Sequence, residues 1–232
     1  MSGVRRALVL RPEPGNARTV ALLRAEGLEA IGVPLFAVRG LAWAMPDARA
    51  FDALLLTSAN AVRFGGPDLA ALAHLPVVAV GAATAAAARA AGLRVTVTGE
   101  GDAAAAVAGA RAYPRLLHLA GREHVALPGV SRAIVYASEA VAVAPDALAA
   151  AVDGVVLLHS ARAAARFVEL AADLPRDRVR VAALSDNVAR AAGTGWARVS
   201  VAERPSDAQL VAAAVMLAID RTRGREDNTP HE

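Results

Sequence analysis

One strand end is written twice in this chain. Residues 51–64 read FDALLLTSANAVRF and residues 152–167 read VDGVVLLHSARAAARF. Each copy has an Asp, an unbroken apolar run, a Ser-Ala step and an alanine-rich segment closing on Arg-Phe. An apolar run this short, flanked by polar residues on both sides, reads as a strand covered on both faces, which is the signature of a parallel sheet in an α/β protein.

The flanking sequence extends the duplication. Val4–Leu10 reads as a strand, Asn16–Glu26 as a helix stopped by Gly27, and Glu29–Pro34 as a strand, with Gly15-Asn16 supplying turn and cap chemistry. A longer unit follows: strands at Phe51–Thr57, Val77–Val80 and Val95–Thr98, with helices from Asn60, over Thr84–Ala91 and over Asp102–Ala110. Leu116–Leu119 and Ala133–Tyr136 read as a shortened copy of the first unit, its helix cut short by Pro128 and Gly129. Strands at Val155–Leu158, Val179–Leu184 and Arg198–Val201, with helices from Arg162, from Asn187 and over Asp207–Ile219, repeat the longer one. In this alignment Gly92 matches Gly195, and Asp102 and Asp207 stand as helix N-caps. The expected architecture is two α/β domains related by duplication, each a twisted parallel sheet with helices on both faces. The segment 221–232 is polar and unpatterned and is expected to be a tail.

Composition narrows the function classes. A chain of 232 residues with 56% hydrophobic content can bury a substantial core. All 25 basic residues are arginines, dispersed along the chain, and aromatic residues make up only 3%. That argues against a nucleic-acid partner while leaving room for a pocket that receives a polyanion. No cysteine is present, which removes disulfides, thiolate catalysis and cysteine metal sites. The apolar run in MSGVRRALVLRPEPG is too short for a signal peptide, and no charge-free stretch reaches membrane-spanning length. A cytoplasmic protein with no membrane partner is expected.

Equivalent carboxyl ends of parallel strands are where an open α/β sheet places its ligand crevice, and two such edges suggest a ligand held between two lobes. Ser58 and Asn60 follow one repeated strand and Ser160 the other; each can cap its helix or face a carboxylate. Gly81 permits close backbone approach in the turn VGAAT, where Thr84 adds a hydroxyl. The sister turn LSDNV carries Ser185 and Val188 instead. Gly121 lies in the turn between His118 and His124. Arg11, Arg63, Arg122, Arg162 and Arg166 stand at or just past strand ends, where they can attract carboxylates. Tyr136 ends the run AIVY and offers a phenol as proton donor. The five histidines form no short metal pattern, and neither a dinucleotide fingerprint, a P-loop nor a nucleophile elbow occurs. Metal-free, cofactor-free chemistry is expected.

The ordered pieces VLRPEPGNARTVALLRAEGLEAIGVPLF, FDALLLTSANAVRF, VVAVGAATAAAARAAG, LLHLAG, AIVY and GWARVSVAERPSDAQLVAA resemble the uroporphyrinogen-III synthase family. The resemblance implies two flavodoxin-like domains joined by a two-stranded linker, with residues 1–36 and 137–220 forming one and 37–136 the other. It implies hydroxymethylbilane, a linear tetrapyrrole with eight carboxylates, as substrate. Dehydration to an azafulvene cation and ring closure through a spiro intermediate would give uroporphyrinogen III with its last ring inverted. Tyr136 would be the catalytic acid, and Arg11, Ser58, Asn60, Arg63, Gly81, Thr84, Gly121, Ser160, Arg162 and Ser185 would bind substrate. A monomer without metal or organic cofactor is expected, with the upstream bilane-forming enzyme as a candidate partner. Asn187, Val188 and Ser185 depart from the family's pattern in their loop. The competing readings are a two-lobed small-anion binding or sensor protein and a phosphosugar or nucleotide transferase.

Overall fold

The computed structural model describes residues 6–99 and 103–219. In chain order the regular elements are β1 (Arg6–Val9), α1 (Gly15–Ala25), β2 (Glu29–Gly32), β3 (Phe36–Gly40), β4 (Ala53–Leu56), α2 (Ala59–Phe64), α3 (Asp68–Ala71), β5 (Val77–Val80), α4 (Ala82–Ala90), β6 (Val95–Gly99) and α5 (Ala103–Gly109). They continue with β7 (Leu116–Gly121), β8 (Ser131–Ala140), β9 (Val155–Leu158), α6 (Ala161–Leu170), β10 (Arg180–Ala183), α7 (Asp186–Ala192), β11 (Arg198–Val201) and α8 (Asp207–Ile219). The chain divides into two compact units, one of Met1–Ala37 with Ala140–Glu232, the other of Val38–Glu139.

In the first unit the strands run β11-β10-β9-β1-β2 across a five-stranded sheet, and every neighbouring pair is parallel. Alternation sorts its side chains onto two faces. Leu8, Val156, Leu158, Val181 and Ala183 pack on one side with Phe167 of α6 and Ala192 of α7. Ala7, Val9, Val155, Leu157 and Ala182 pack on the other with Leu23 of α1 and Leu210 and Ala214 of α8. Both faces are covered, which is why β9 is apolar at every position.

The second unit carries a six-stranded sheet ordered β3-β8-β7-β4-β5-β6, with β4, β5, β6, β7 and β8 joined by parallel pairings. Leu54, Leu56, Val77 and Leu119 pack on one side, and Ala53, Leu55, Val78 and Leu116 on the other with Ala106 of α5. Setting β8-β7 against β2-β1, and β4-β5-β6 against β9-β10-β11, makes the two spatial orders the same. The chain order differs, because the short strand pair precedes the long unit in one sheet and follows it in the other. The duplication read from the sequence therefore reappears as two sheets of one design.

Several local expectations are corrected. Phe36–Gly40, to which the sequence reading assigns no element, is a strand at the sheet edge beside β8; its single Arg39 sits at an edge, where a charge is tolerated. Between β7 and β8 the nine residues 122–130 form no helix. The N-cap hydroxyl of α8 comes from Ser206, whose Oγ accepts from the Gln209 amide at 3.3 Å, and Asp207 is the first helical residue instead. At α1 the cap carboxylate is Glu13, accepting from the Ala17 amide at 3.0 Å. Asn16 is buried and spends its amide on the Val9 and Arg11 carbonyls at 2.8 and 3.0 Å. Gly193 ends α7 with positive φ, and Gly195, three residues before β11 as Gly92 is before β6, has positive φ as Gly92 does. The expectations for Val4, for Asp102 as a cap and for 221–232 lie outside the described residues.

Candidate functional site

Apart from Thr84, most of the sequence-derived site residues fall into two groups, one along the carboxyl edge of each sheet. In the first unit that edge is formed by Arg11 after β1, His159 and Ser160 after β9, and Ser185 after β10. Arg11 Nη1 donates to Asp207 Oδ1 at 2.6 Å and reaches Thr19 Oγ1 at 3.4 Å. The guanidinium lies over Gly15, where a Cβ would come within 2.6 Å of its Cζ. Arg18 Nε and His159 Nε2 approach the same carboxylate at 3.9 and 3.8 Å. One acid thus gathers three basic side chains. The His159 side chain is only 7% exposed, and burial pushes its pKa down to about 4. The Arg11 charge pushes the same way and Asp207 opposes it. Ser160 caps α6, its Oγ accepting from the Ala163 amide at 3.2 Å. Arg162, exposed one position into α6, lies 4.2 Å from the centroid of the Phe36 ring. Ser185 stands at the N-terminus of α7 without a side-chain cap bond.

In the second unit the edge is built from Thr57 and Ser58 after β4, Gly81 after β5, Gly121 at the end of β7 and Tyr136 on β8. Ser58 caps α2 through the Asn60 amide at 3.2 Å. A capping serine accepts with its oxygen and keeps its proton to offer outward. Asn60 Oδ1 accepts from Arg63 Nη1 at 2.8 Å, so these two are one exposed pair. Gly81 has φ of +85°, the left-handed turn that glycine takes without strain, and starts α4. Thr84 is buried inside that helix's inner face, as its counterpart Val188 is in α7, so this side chain packs rather than lining the edge.

Tyr136 and Gly121 are in direct contact. A Cβ on Gly121 would lie 2.6 Å from Tyr136 Cε2 and 2.9 Å from its hydroxyl. The Tyr136 ring also neighbours that of Phe64, with centroids 6.5 Å apart. His124 Nδ1 lies 2.9 Å from the Gly121 carbonyl, so the imidazole donates to it there and closes the turn behind the glycine. Arg122 reaches Glu139 at 3.3 Å.

Thr57 and His118 are a pair that the sequence does not single out. His118 is buried in the middle of β7, and its Nε2 lies 3.0 Å from Thr57 Oγ1. Burial pushes its pKa down to about 4, aided by the neighbouring His124 ring at 5.9 Å. The register that puts His118 opposite Leu55, two positions before Thr57, is the missing signal. Among the described residues no three acidic, histidine or cysteine side chains gather as a metal site, and no helix is long and apolar enough to cross a membrane.

Comparison with known proteins follows the same lines. Residues 17–212 match the family model described as uroporphyrinogen-III synthase HemD. Among solved structures, uroporphyrinogen-III synthetase from Helicobacter pylori aligns with a TM-score of 0.67 at 17% identity, covering 92% of this chain and 99% of that one. A mutant uroporphyrinogen III synthase from Thermus thermophilus aligns with a TM-score of 0.51 at 20% identity, covering 90% and 96%. These similarities carry the fold, an α/β arrangement of parallel strands and helices. A search of curated proteins gave no significant match. The family model spans most of the chain, and the chain belongs to the uroporphyrinogen-III synthase family, lyases that cyclise hydroxymethylbilane in porphyrin biosynthesis.

Proposed function

We propose that both sheet edges hold carboxylates of hydroxymethylbilane and that Tyr136 donates a proton to the departing hydroxyl as the ring closes to uroporphyrinogen III. The observation that carries this reading is the tyrosine seated on Gly121 at the carboxyl end of β7, with the Phe64 ring 6.5 Å away. The substrate is flexible and polyanionic, so closure is chiefly a matter of holding its reacting ends in register. Main-chain amides at the starts of α2, α4, α6 and α7 suit that work, with the hydroxyls of Ser58, Ser160 and Ser185, the Asn60–Arg63 pair, and Arg11 and Arg162 beside them. Proton donation to the hydroxymethyl oxygen lets water leave, and the azafulvene cation is then attacked by the terminal pyrrole through a spiro intermediate.

The finer architecture belongs to the same proposal. The order β2-β1-β9-β10-β11 is that of a flavodoxin-like sheet, and β8-β7-β4-β5-β6 repeats it in permuted chain order. Each unit is accordingly taken as a flavodoxin-like domain, with β3 and β8 as the two-stranded linker. The protein is further proposed to work as a monomer in the cytoplasm, with no metal or organic cofactor, receiving substrate from the bilane-forming enzyme upstream. The rival reading as a small-anion binding protein is not favoured by the family. Tyr136→Phe tests the assignment: turnover falls at least tenfold with the unfolding temperature held, whereas unchanged turnover removes the phenol from the mechanism.

A further inference from the structure

The Thr57–His118 pair is asymmetric between the two sheets, and the asymmetry points to a role. Aligning Ser58 with Ser160 sets Thr57 against His159 and Leu55 against Leu157. Leu55 pairs with His118, and Leu157 pairs with Val9. The place that His118 fills in one sheet is therefore filled by a fully buried valine in the other. The architecture does not call for an imidazole there. Burying one without a partner costs free energy that a valine avoids, and its Nε2 is directed at a hydroxyl that is itself part-exposed at the end of β4.

We propose that His118 is a positioning residue for the Thr57 hydroxyl: its Nε2–H donates to Thr57 Oγ1, which leaves the Thr57 proton to be offered outward to a substrate carboxylate. This rests on the reading that the β4 edge binds hydroxymethylbilane. The direction of the bond matters because a carboxylate only accepts. With the opposite tautomer the threonine would donate inward to His118 and present lone pairs to an anion. A neutral imidazole suits the role, since it holds the donor in place without adding a buried charge. The residue acts through Thr57 and touches no substrate itself.

Two measurements test it. Nitrogen-15 spectra of the histidine-labelled full chain at pH 7 are expected to show His118 neutral and protonated on Nε2; protonation on Nδ1 would overturn the proposal. Steady-state turnover of hydroxymethylbilane is then compared for Thr57→Val, His118→Phe and the double variant. Each single change is expected to raise KM roughly tenfold, the scale of one hydrogen bond to a charged group, with kcat nearly unchanged. The double variant should be no worse than Thr57→Val alone. His118→Gln, whose amide reaches a similar distance, should bring KM back to within about threefold of the parent. Effects that multiply, or a glutamine variant as poor as phenylalanine, refute positioning through Thr57. Tyr136→Phe in the same assay separates the levels. If it loses turnover while the Thr57 and His118 variants keep their KM, this inference alone falls; if all behave as the parent, the edge reading falls with it.

Discussion

Gly121→Ala probes the contact on which the catalytic assignment depends. The added Cβ would lie 2.6 Å from Tyr136 Cε2, 2.7 Å from Cζ and 2.9 Å from the hydroxyl, where ordinary contacts begin at 3.4 Å. The ring must therefore retreat by about 0.8 Å. It is half-buried and can swing, so the strain is relieved at the low end of the overpacking range, about 1 kcal/mol. For a chain of this size that is a fall of roughly 2–4 °C in the unfolding temperature. Catalysis is less forgiving, because a displacement of about 1 Å at a reacting group can cost about a hundredfold. Turnover should therefore fall about a hundredfold in a protein that remains folded at the assay temperature. The assay is single-turnover conversion of freshly generated hydroxymethylbilane, with thermal unfolding of the same samples. Tyr136→Phe added to Gly121→Ala should cost little more, since the phenol is already displaced. Full turnover by folded Gly121→Ala would refute the reasoning, because it would show that the position of the tyrosine does not matter.

Other consequences can be checked in parallel. Ser58→Ala and Ser160→Ala each remove a helix cap and should lower stability by about 1 kcal/mol, read as a lower unfolding midpoint in denaturant; an unchanged midpoint would mean that the caps observed at 3.2 Å contribute nothing. Stability should decline as pH falls from about 6.5 towards 4. The folded-state pKa values of His118 and His159 lie near 4, below their ordinary value of 6.5, so the unfolded chain takes up protons first. Each histidine costs up to about 3 kcal/mol across that window, and a flat unfolding free energy between pH 7 and pH 4.5 would contradict this. If the arginines at both edges bind carboxylates, KM rises with ionic strength; a KM indifferent to salt would assign the binding to main-chain amides.

Much of the fold was legible because parallel strands covered on both faces leave an unmistakable pattern. Val77–Val80, Val155–Leu158 and Arg198–Val201 are strands over the residues expected, and α8 spans Asp207–Ile219 as read. The misses share a physical cause. Phe36–Gly40 pairs at an edge, where the apolar pattern is diluted by Arg39, and the shortened repeat between β7 and β8 dispenses with its helix altogether. At the site, local chemistry was readable and long-range pairing was not. Ser58 and Ser160 could be placed at strand ends from the repeated Ser-Ala step, yet Arg11 meets Asp207 across 196 positions and Thr57 meets His118 across 61. Neither pairing is written in any stretch of sequence; both arise only when the sheet order is set. Thr84 shows the same limit from the other side: the turn VGAAT does not reveal that this residue is buried in α4.

The central claim is that this chain closes hydroxymethylbilane with inversion of the last ring. The direct test is to add the purified protein to freshly generated hydroxymethylbilane, oxidise the products and separate the porphyrin isomers. The account predicts predominantly the type III isomer, above a control without protein that gives type I. Type I alone, from folded protein and active substrate, would contradict it.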